Sequence, residues 1–313
     1  LSAAASDKAY YGSAILINTT SPVYVNDSEF RSNANTNTGA SGGLFGSAQN
    51  VTANLFVNNC FFYDNQTEYQ GGAVLLSTAS YPLNAYFTNC SFHGDKAGGT
   101  NSYGIEFTAN AGFLGVHNCT ITQNTTGATN KSYISVNAGK FLMFNSTVIG
   151  TSGNNTTQAL VRLTNADAAT MYAANNICIS GGTDGTLKGS AIGGASATAL
   201  RGTSKGYNYV SASTFSVNDD TDTDGLTRTG LSVQTASKVI PNRYYNVASA
   251  GTLANKAAKA YLESVFSAFD TANNISNGAT FLSYLKEKGV WGKDQLGNDR
   301  GTTGWWAGAY QGN

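Results

Sequence analysis

Val57-Asn58-Asn59-Cys60-Phe61-Phe62 is the stretch that decides the fold, because its pattern recurs along the first two thirds of the chain. An apolar residue stands two positions before an Asn. Cys or Ser stands one position after the Asn, and an apolar residue stands three positions after it. Clear copies begin at Val25, Phe87, Val116 and Met143, and weaker ones occupy residues 174–179 and 206–210. The copies lie 27 to 32 residues apart. Such a drifting period is typical of a solenoid whose coils keep their strands and vary their loops.

The third position of each copy predicts a bend in the chain. Side chains alternate between the two faces of a strand, and here the inward parity changes between Val57 and Cys60. Asn suits a bend because it tolerates left-handed backbone and bonds locally. Stacked coils would then form an asparagine ladder, which we expect to comprise Asp27, Asn59, Asn89, Asn118, Asn145, Asn176 and Asn208. A second polar position follows six residues later in four copies, at Asn33, Asn65, Asp95 and Asn124.

Each repeat contains two further short strands before the Asn. One begins with glycine in the cleaner copies, as in residues 71–75, and the next runs directly into the bend, as in residues 53–57. Three strands per repeat predict an all-β fold: a right-handed, single-stranded parallel β-helix, which is a three-sided solenoid of six or seven coils. We assign it to residues 1–215, and its stability is expected to come from stacking neighbouring coils.

Three cysteines occupy the same inward position in consecutive coils. Cys60, Cys90 and Cys119 would lie ~4.8 Å apart between Cα atoms, within reach of a disulfide, but in-register side chains keep the Cβ atoms farther apart than a disulfide prefers. The spacing favours a ladder of free, buried thiols, and one strained bridge is the alternative.

Residues 216–313 are expected to form a C-terminal capping region. Apolar residues from Leu253 to Phe269 recur at helical spacing, and a second short helix is predicted over Gly278–Lys288, with Gly289 just past its end. An open last coil would expose apolar core and unpaired strand edges. We therefore interpret the two helices as a lid over that end of the solenoid, followed by a closing strand.

Composition limits the partners that we expect. The chain has 18 basic and 18 acidic residues without a basic cluster, which argues against nucleic acid. No apolar run is long enough to span a membrane, and the start at Leu1 indicates a mature or truncated form. A monomer is expected.

No catalytic residues can be assigned from the sequence. Glu106 alternates with apolar residues and is expected to point outward beside Leu75 or Leu76 and Ser135, so no stacked carboxylates result. His93 and His117 fall at different repeat positions and are predicted to be surface strand residues.

One stretch predicts a calcium site. Asp220, Asp222 and Asp224, followed by Gly225, match the start of a calcium-binding loop, although Leu231 replaces the Glu that would complete an EF-hand. A partial calcium site and a solvated acidic turn are both open interpretations.

Adjacent aromatic pairs are the candidates for glycan binding. In extended chain one ring of each pair tends to face outward, where it can stack on a sugar ring, and packing within the cap is the alternative for the last pair. The pairs are Tyr10 and Tyr11, Tyr244 and Tyr245, and Trp305 and Trp306.

The end of the chain carries a family resemblance. Asp294-Gln295-Leu296-Gly297-Asn298-Asp299-Arg300, followed by Gly308-Ala309-Tyr310-Gln311, resembles the closing signature of secreted bacterial pectate-lyase-like β-helix proteins. The Asn-Cys repeats and residues 206–209 are similar to the same group. The resemblance implies export by a Gram-negative bacterium and a secreted or outer-membrane-associated location. That group includes polysaccharide lyases, glycoside hydrolases and surface proteins without known chemistry.

Three functions are therefore open. The first is a non-enzymatic, adhesin-type surface that binds a glycan or a host or cell-surface protein. The second is a polysaccharide lyase or glycoside hydrolase, although the Asn-Thr-Asp, Gly-His-Gly and Arg-Ile-Lys motifs of pectin hydrolases are absent. The third is a structural spacer within a larger surface protein.

Overall fold

The computed structural model describes most of the repeat region and the C-terminal helices. The described residues are 2–3, 14–35, 45–47, 52–68, 71–78, 80–98, 102–122, 132–150, 160–163, 169–179, 192–194, 202–210, 222, 231–234, 244–247, 256–302 and 304–309.

Three parallel sheets of seven strands each form a β-solenoid, as predicted. Sheet 1 consists of Ile15–Ile17, Phe45–Ser47, Val74–Leu76, Ser102–Phe107, Ser132–Val136, Val161–Leu163 and Ile192–Gly194. Sheet 2 consists of Val23–Asn26, Ala53–Asn58, Leu83–Thr88, Phe113–His117, Gly139–Phe144, Ala169–Ala174 and Gly202–Ser204. Sheet 3 consists of Glu29–Arg31, Phe61–Tyr63, Ser91–His93, Thr120–Thr122, Thr147–Ile149, Ile177–Ile179 and Tyr209–Val210.

Two smaller sheets complete the strands. A fourth, four-stranded parallel sheet was not predicted, and it consists of Ser2–Ala3, Ala34–Asn35, Gln66–Thr67 and Lys96–Ala97. Its strands follow the second polar position, so the early coils have four sides. An antiparallel pair joins Leu231–Gln234 to Tyr244–Val247.

Strict register places like residues above like residues and fills the interior. Val74 pairs with Ile105, and Phe62 pairs with Phe92, whose rings stack with centroids 4.6 Å apart. These side chains belong to one continuous apolar cluster that runs through the coils. Each coil therefore buries its apolar face against its neighbours.

The bend residues are confirmed in five coils and wrong in two. Asp27, Asn59, Asn89, Asn118 and Asn145 all have φ between 47° and 53°. In the next two coils the left-handed residues are Asn175 (φ 58°) and Tyr207 (φ 61°), one position before the predicted Asn176 and Asn208. The strand register gives the reason. Val148 pairs with Cys178, which places Asn145 opposite Asn175, whereas the sequence pattern aligns Asn145 with Asn176.

Asn176 and Asn208 instead belong to an inner ladder, at the position after the bend. There the backbone N–H of one coil donates to a side-chain oxygen of the next: Cys119 to Ser146 Oγ (3.2 Å), and Ser146 to Asn176 Oδ1 (2.9 Å). Asn176 donates in turn to Asn208 Oδ1 (3.1 Å). Buried backbone donors that the strands leave unused are thereby satisfied.

The second polar ladder is confirmed over three coils. Asn33 donates to Asn65 Oδ1 through its backbone N–H (3.2 Å) and its amide (3.0 Å), and Asn65 donates to Asp95 Oδ1 in the same way (3.0 and 2.8 Å). Asn124, the next predicted member, lies outside the described residues. Asp95 is fully buried, and desolvation raises the pKa of its carboxyl to about 8.

The cysteines form the predicted ladder of free thiols. Cys60, Cys90 and Cys119 are buried and unbridged, and each thiol donates to the backbone carbonyl two residues earlier at 3.2–3.3 Å. Cys178 is also free and buried, in the neighbouring inward row.

We expect all four native thiols to resist modification. Burial raises the pKa of Cys90 and Cys178, which keeps them as unreactive thiols. Ellman's reagent should label essentially none of the four cysteines of the folded chain and all four in denaturant. Rapid labelling of the native protein at any of them would contradict the buried ladder.

Two helices lie where the sequence predicts them but cover a different surface. Helix α1 spans Lys259–Asn273 and helix α2 spans Asn277–Glu287. They pack across the outer face of sheet 2 over several coils, rather than over the open end of the solenoid. The reason is that this outer face is itself apolar, and a sheet with two apolar faces must be covered on both. Neither helix is long and apolar enough to cross a membrane.

Residues 293–309 form a C-terminal clamp across sheet 3. Asp294 closes a turn by accepting the N–H groups of Leu296 (2.9 Å) and Asn298 (2.8 Å). Arg300 is buried and donates to the carbonyls of Lys293 (3.0 Å), Trp306 (3.0 Å) and Gly308 (2.8 Å), and to Asn118 Oδ1 (3.0 Å).

The end of the clamp is held by the solenoid itself. Gly308 donates its backbone N–H to the Asn175 carbonyl (2.9 Å). Its φ of 89° favours glycine, and a Cβ at this position would lie only 2.7 Å from Ile177 Cδ1. Residues 307–309 are bends, so the predicted closing strand is absent from the part that the structure describes, and Tyr310 lies outside it.

Candidate ligand cleft

A row of outward-facing aromatic residues runs along sheet 2. Tyr24, Phe56 and Tyr86 pair in register on successive coils. The ring of Phe56 stacks on Tyr24 with centroids 5.0 Å apart and on Tyr86 with centroids 4.6 Å apart. In-register parallel strands produce this stack directly, because they place the same position of each coil on the same face.

Helices α1 and α2 cover this row except at its first member. Phe281 of α2 contacts Tyr86, with ring centroids 5.4 Å apart, and fills the gap above Gly115, where the row lacks a side chain. Phe266 of α1 stacks on Phe144, which lies two positions along the strand from the row member Leu142, with centroids 4.5 Å apart. Tyr24, by contrast, is 55% exposed. An aromatic row that is buried along its length therefore ends in an open ring.

A cleft of about 390 Å³ lies between this open end and α2. Such a volume is in the range of sites for small ligands. Three aromatic rings and the methyl of Ala279 line its apolar side, and hydroxyls and a carboxylate line its polar side. The lining residues are Tyr24, Phe56, Ser276, Ala279, Thr280, Ser283, Tyr284 and Glu287.

Tyr284 brings a buried hydroxyl to the cleft. The residue is only 6% exposed, and its hydroxyl has no hydrogen-bond partner among the described residues. Desolvation raises the pKa of Tyr284, so the group stays protonated and keeps its donor. A buried donor without a partner costs free energy, which a ligand oxygen would recover once a shift of the Tyr284 side chain opens the hydroxyl to the cleft.

Opposite charges mark the mouth of the cleft. Lys288 Nζ lies 5.9 Å from the ring centroids of both Tyr24 and Tyr284. It also pairs with Glu287 Oε1 at 3.1 Å, and the Glu287 side chain is 72% exposed. An exposed pair of this kind contributes little to stability, so its partners are free to exchange.

The sequence did not single out these residues. One signal was present, however: the strands of sheet 2 carry aromatic residues at the outward positions as well as the inward ones, as at Phe56 beside Val57. That excess indicates a covering element on the outer face. The cleft itself depends on where α2 lies relative to Tyr24, and no local sequence pattern predicts that position.

The predicted aromatic pairs lie elsewhere. Trp305 is 0% exposed and Trp306 8%, so both rings pack inside the cap region, which favours the packing interpretation of this pair. Tyr244 and Tyr245 lie on the antiparallel strand pair. Tyr10 and Tyr11 fall outside the described residues.

The predicted calcium ligands are described only in part. Asp222 extends the inner ladder: its Oδ1 accepts the backbone N–H (2.9 Å) and amide (3.2 Å) of Asn208, and its other oxygen accepts Ser204 Oγ. Asp220 and Asp224 lie outside the described residues. Within the part of the chain that is described, no group of three or more potential ligands could hold a metal ion.

Two further expectations on ionisable residues need correction. Glu106 pairs with Leu75 and Ser135, as predicted, but it is fully buried and accepts the amide of Asn137 at 3.2 Å. Arg162, the next residue along that row, adds a favourable positive charge.

His117 is also fully buried, unlike the half-buried His93. Its ring lies 5.4 Å from that of Trp291, because the cap region covers this end of sheet 2. Desolvation, together with the charge of Arg300, lowers the pKa of His117 well below its usual value. Strand periodicity predicts the face on which a side chain lies but not how deeply that face is buried.

Comparison with known proteins adds no relative. No protein-family model matches the chain, no curated protein matches it, and no solved structure matches it. The chain is therefore classified by its fold alone, a parallel β-solenoid with two C-terminal helices.

Proposed function

We propose that this protein is a non-enzymatic carbohydrate-binding β-helix, whose ligand occupies the cleft between Tyr24 and α2. The observation that carries the proposal is the open Tyr24 ring beside the buried, unpartnered hydroxyl of Tyr284. An aromatic face stacks on the apolar face of a sugar ring, while nearby hydroxyls bond its rim. The hydroxyls of the cleft, from Ser276, Thr280, Ser283 and Tyr284, suit such a ligand.

Binding fits the cleft better than hydrolysis does. Glycosidases use two carboxyl groups that flank the scissile bond. The described lining residues include one carboxylate, Glu287, and it is already paired with Lys288. The pectate-lyase-like resemblance is therefore proposed as one of architecture and not of active site.

We also propose a secreted or cell-surface location in a Gram-negative bacterium. The closing signature supports it: Asp294 closes a turn of the clamp, and Arg300 and Gly308 hold the clamp on the solenoid. A motif that closes the fold can be shared by proteins with different activities, since function is decided by the site.

Replacing Tyr24 by Ala is expected to weaken binding of the best ligand from a glycan panel by about tenfold, because it removes the stacking platform. Tyr24→Phe keeps the ring and should retain most of the affinity. Binding would be measured by calorimetry, and each incubation would be analysed by mass spectrometry for cleavage products.

Tyr81→Ala is the matched control, because Tyr81 is 43% exposed but does not line the cleft. Equal losses in Tyr24→Ala and Tyr81→Ala would refute the cleft as the binding site. Cleavage products would replace the binding function with an enzymatic one, and failure to bind any glycan would favour the structural spacer.

A further inference from the structure

The cleft has the chemistry of a cation site. Its walls include three rings, of which Phe56 contacts the other two: its centroid lies 5.0 Å from that of Tyr24 and 4.7 Å from that of Tyr284. Aromatic faces carry a negative quadrupole and attract cations placed within about 6 Å. Glu287 adds a carboxylate to the same lining.

A cation of the chain already uses this arrangement. Lys288 Nζ is at the same distance, 5.9 Å, from the Tyr24 and Tyr284 rings, while it pairs with Glu287 at 3.1 Å. The ammonium follows directly after α2 on a flexible stem, and its side chain is 35% exposed. It is thus an internal occupant that an external cation can replace at little cost.

We infer that the ligand of the cleft is a cationic saccharide, one whose sugar ring carries a protonated amine. This inference rests on the proposed carbohydrate-binding function and names its ligand class. The amine takes the place of the Lys288 ammonium between the two tyrosine rings and pairs with Glu287. The sugar ring stacks on Tyr24, and a ring hydroxyl or ring oxygen accepts the Tyr284 hydroxyl.

An acidic saccharide suits the cleft less well. Its carboxylate would pair with Lys288, but it would approach the Glu287 carboxylate and the negative faces of the rings. A neutral saccharide would gain the stacking alone. The three classes therefore predict different responses to the removal of each charge.

The test compares a glucosamine oligosaccharide with its fully N-acetylated counterpart, at mildly acidic pH, by calorimetry. We expect the amine form to bind more tightly. Glu287→Gln should weaken binding of the amine form by about fivefold and leave the N-acetylated form unchanged. Lys288→Met should tighten binding of the amine form by about threefold, because it removes the internal competitor.

Lys286→Met is the control for the loss of a positive charge. Lys286 pairs with Glu263 at 3.2 Å and does not line the cleft, so its removal should leave both affinities unchanged. Weaker binding in Lys288→Met would overturn the cationic ligand in favour of an acidic one. Equal affinity for the two oligosaccharides, unchanged in both variants, would overturn it while the carbohydrate-binding function stands. If neither these oligosaccharides nor any member of the glycan panel binds, both proposals fail.

Discussion

Replacing Arg300 by Met is expected to lower the free energy of unfolding of the C-terminal clamp by about 4 kcal/mol. Its guanidinium holds three backbone carbonyls and the side chain of Asn118 inside the protein. Met fills similar space but leaves the Gly308 carbonyl and Asn118 Oδ1 without a donor. It also removes one of the two donors at the carbonyls of Lys293 and Trp306, which keep the amides of Asn118 and Asn175. Each buried acceptor that loses its partner costs about 1–3 kcal/mol before relaxation.

The tryptophans make this effect measurable by region. All three belong to the C-terminal part of the chain, as Trp291, Trp305 and Trp306, whereas the solenoid strands contain none. In Arg300→Met, the fluorescence transition should move to a lower temperature than the circular dichroism transition of the strands. Arg31→Met is the control, because Arg31 is exposed and its contacts are with the exposed Glu29 (3.0 Å) and the Tyr63 ring (5.3 Å), so its loss should cost less than about 1 kcal/mol. Coincident, unshifted transitions in Arg300→Met would show that the clamp does not depend on this residue.

Replacing Asp95 by Asn is expected to stabilise the protein by about 4 kcal/mol near pH 7, and by much less at pH 4. Burial raises the pKa of the folded carboxyl to about 8, from the 3.8 of an unperturbed Asp. Between these values the folded state retains a proton that the unfolded state has lost. Stability of the natural protein therefore falls as the pH rises through this window, and Asn removes that loss.

Asn also fits the position, since Asn33 and Asn65 occupy it in the two preceding coils. The amide of Asn65 donates to the Phe30 carbonyl (2.9 Å) of the coil before it. Phe62 pairs with Phe30 in register, so the Phe62 carbonyl is in place to accept the amide of an Asn at position 95. The measurement is the difference in unfolding free energy between variant and natural protein from pH 4 to 9, in which other titrations cancel. Asp27→Asn, at the exposed first position of the asparagine ladder, is the control for exchanging a carboxyl for an amide without burial. A difference for Asp95→Asn that is constant with pH would contradict the buried, protonated carboxyl.

The repeat made the solenoid predictable, because period-two alternation and a bend residue are local properties of the chain. Asn59 and Asn89 could be placed from the sequence, and so could the thiols of Cys60 and Cys90. The alignment slipped at Asn175 because two consecutive asparagines fit the pattern equally well, and only strand register separates them.

The cleft could not be predicted, since it arises between segments more than two hundred residues apart in the chain. Periodicity shows that Tyr24 faces outward but not that α2 stops beside it. The same limit applies to His117, which the cap region covers, and to Glu106, whose burial its strand pattern does not show. The pattern of one strand shows on which face of the sheet a side chain lies. What packs over that face depends on tertiary structure.

The inner ladder gives the stack of coils a direction. Each coil presents a side-chain oxygen to the backbone N–H of the coil before it, and Asn176 and Asn208 also donate an amide hydrogen to the next member. Asp222, the last described member, accepts both donors of Asn208, but its carboxylate has no hydrogen to donate. A coil stacked beyond Asp222 would therefore receive a backbone donor alone, whereas a duplicated Asn-bearing coil inserted upstream would keep both donors.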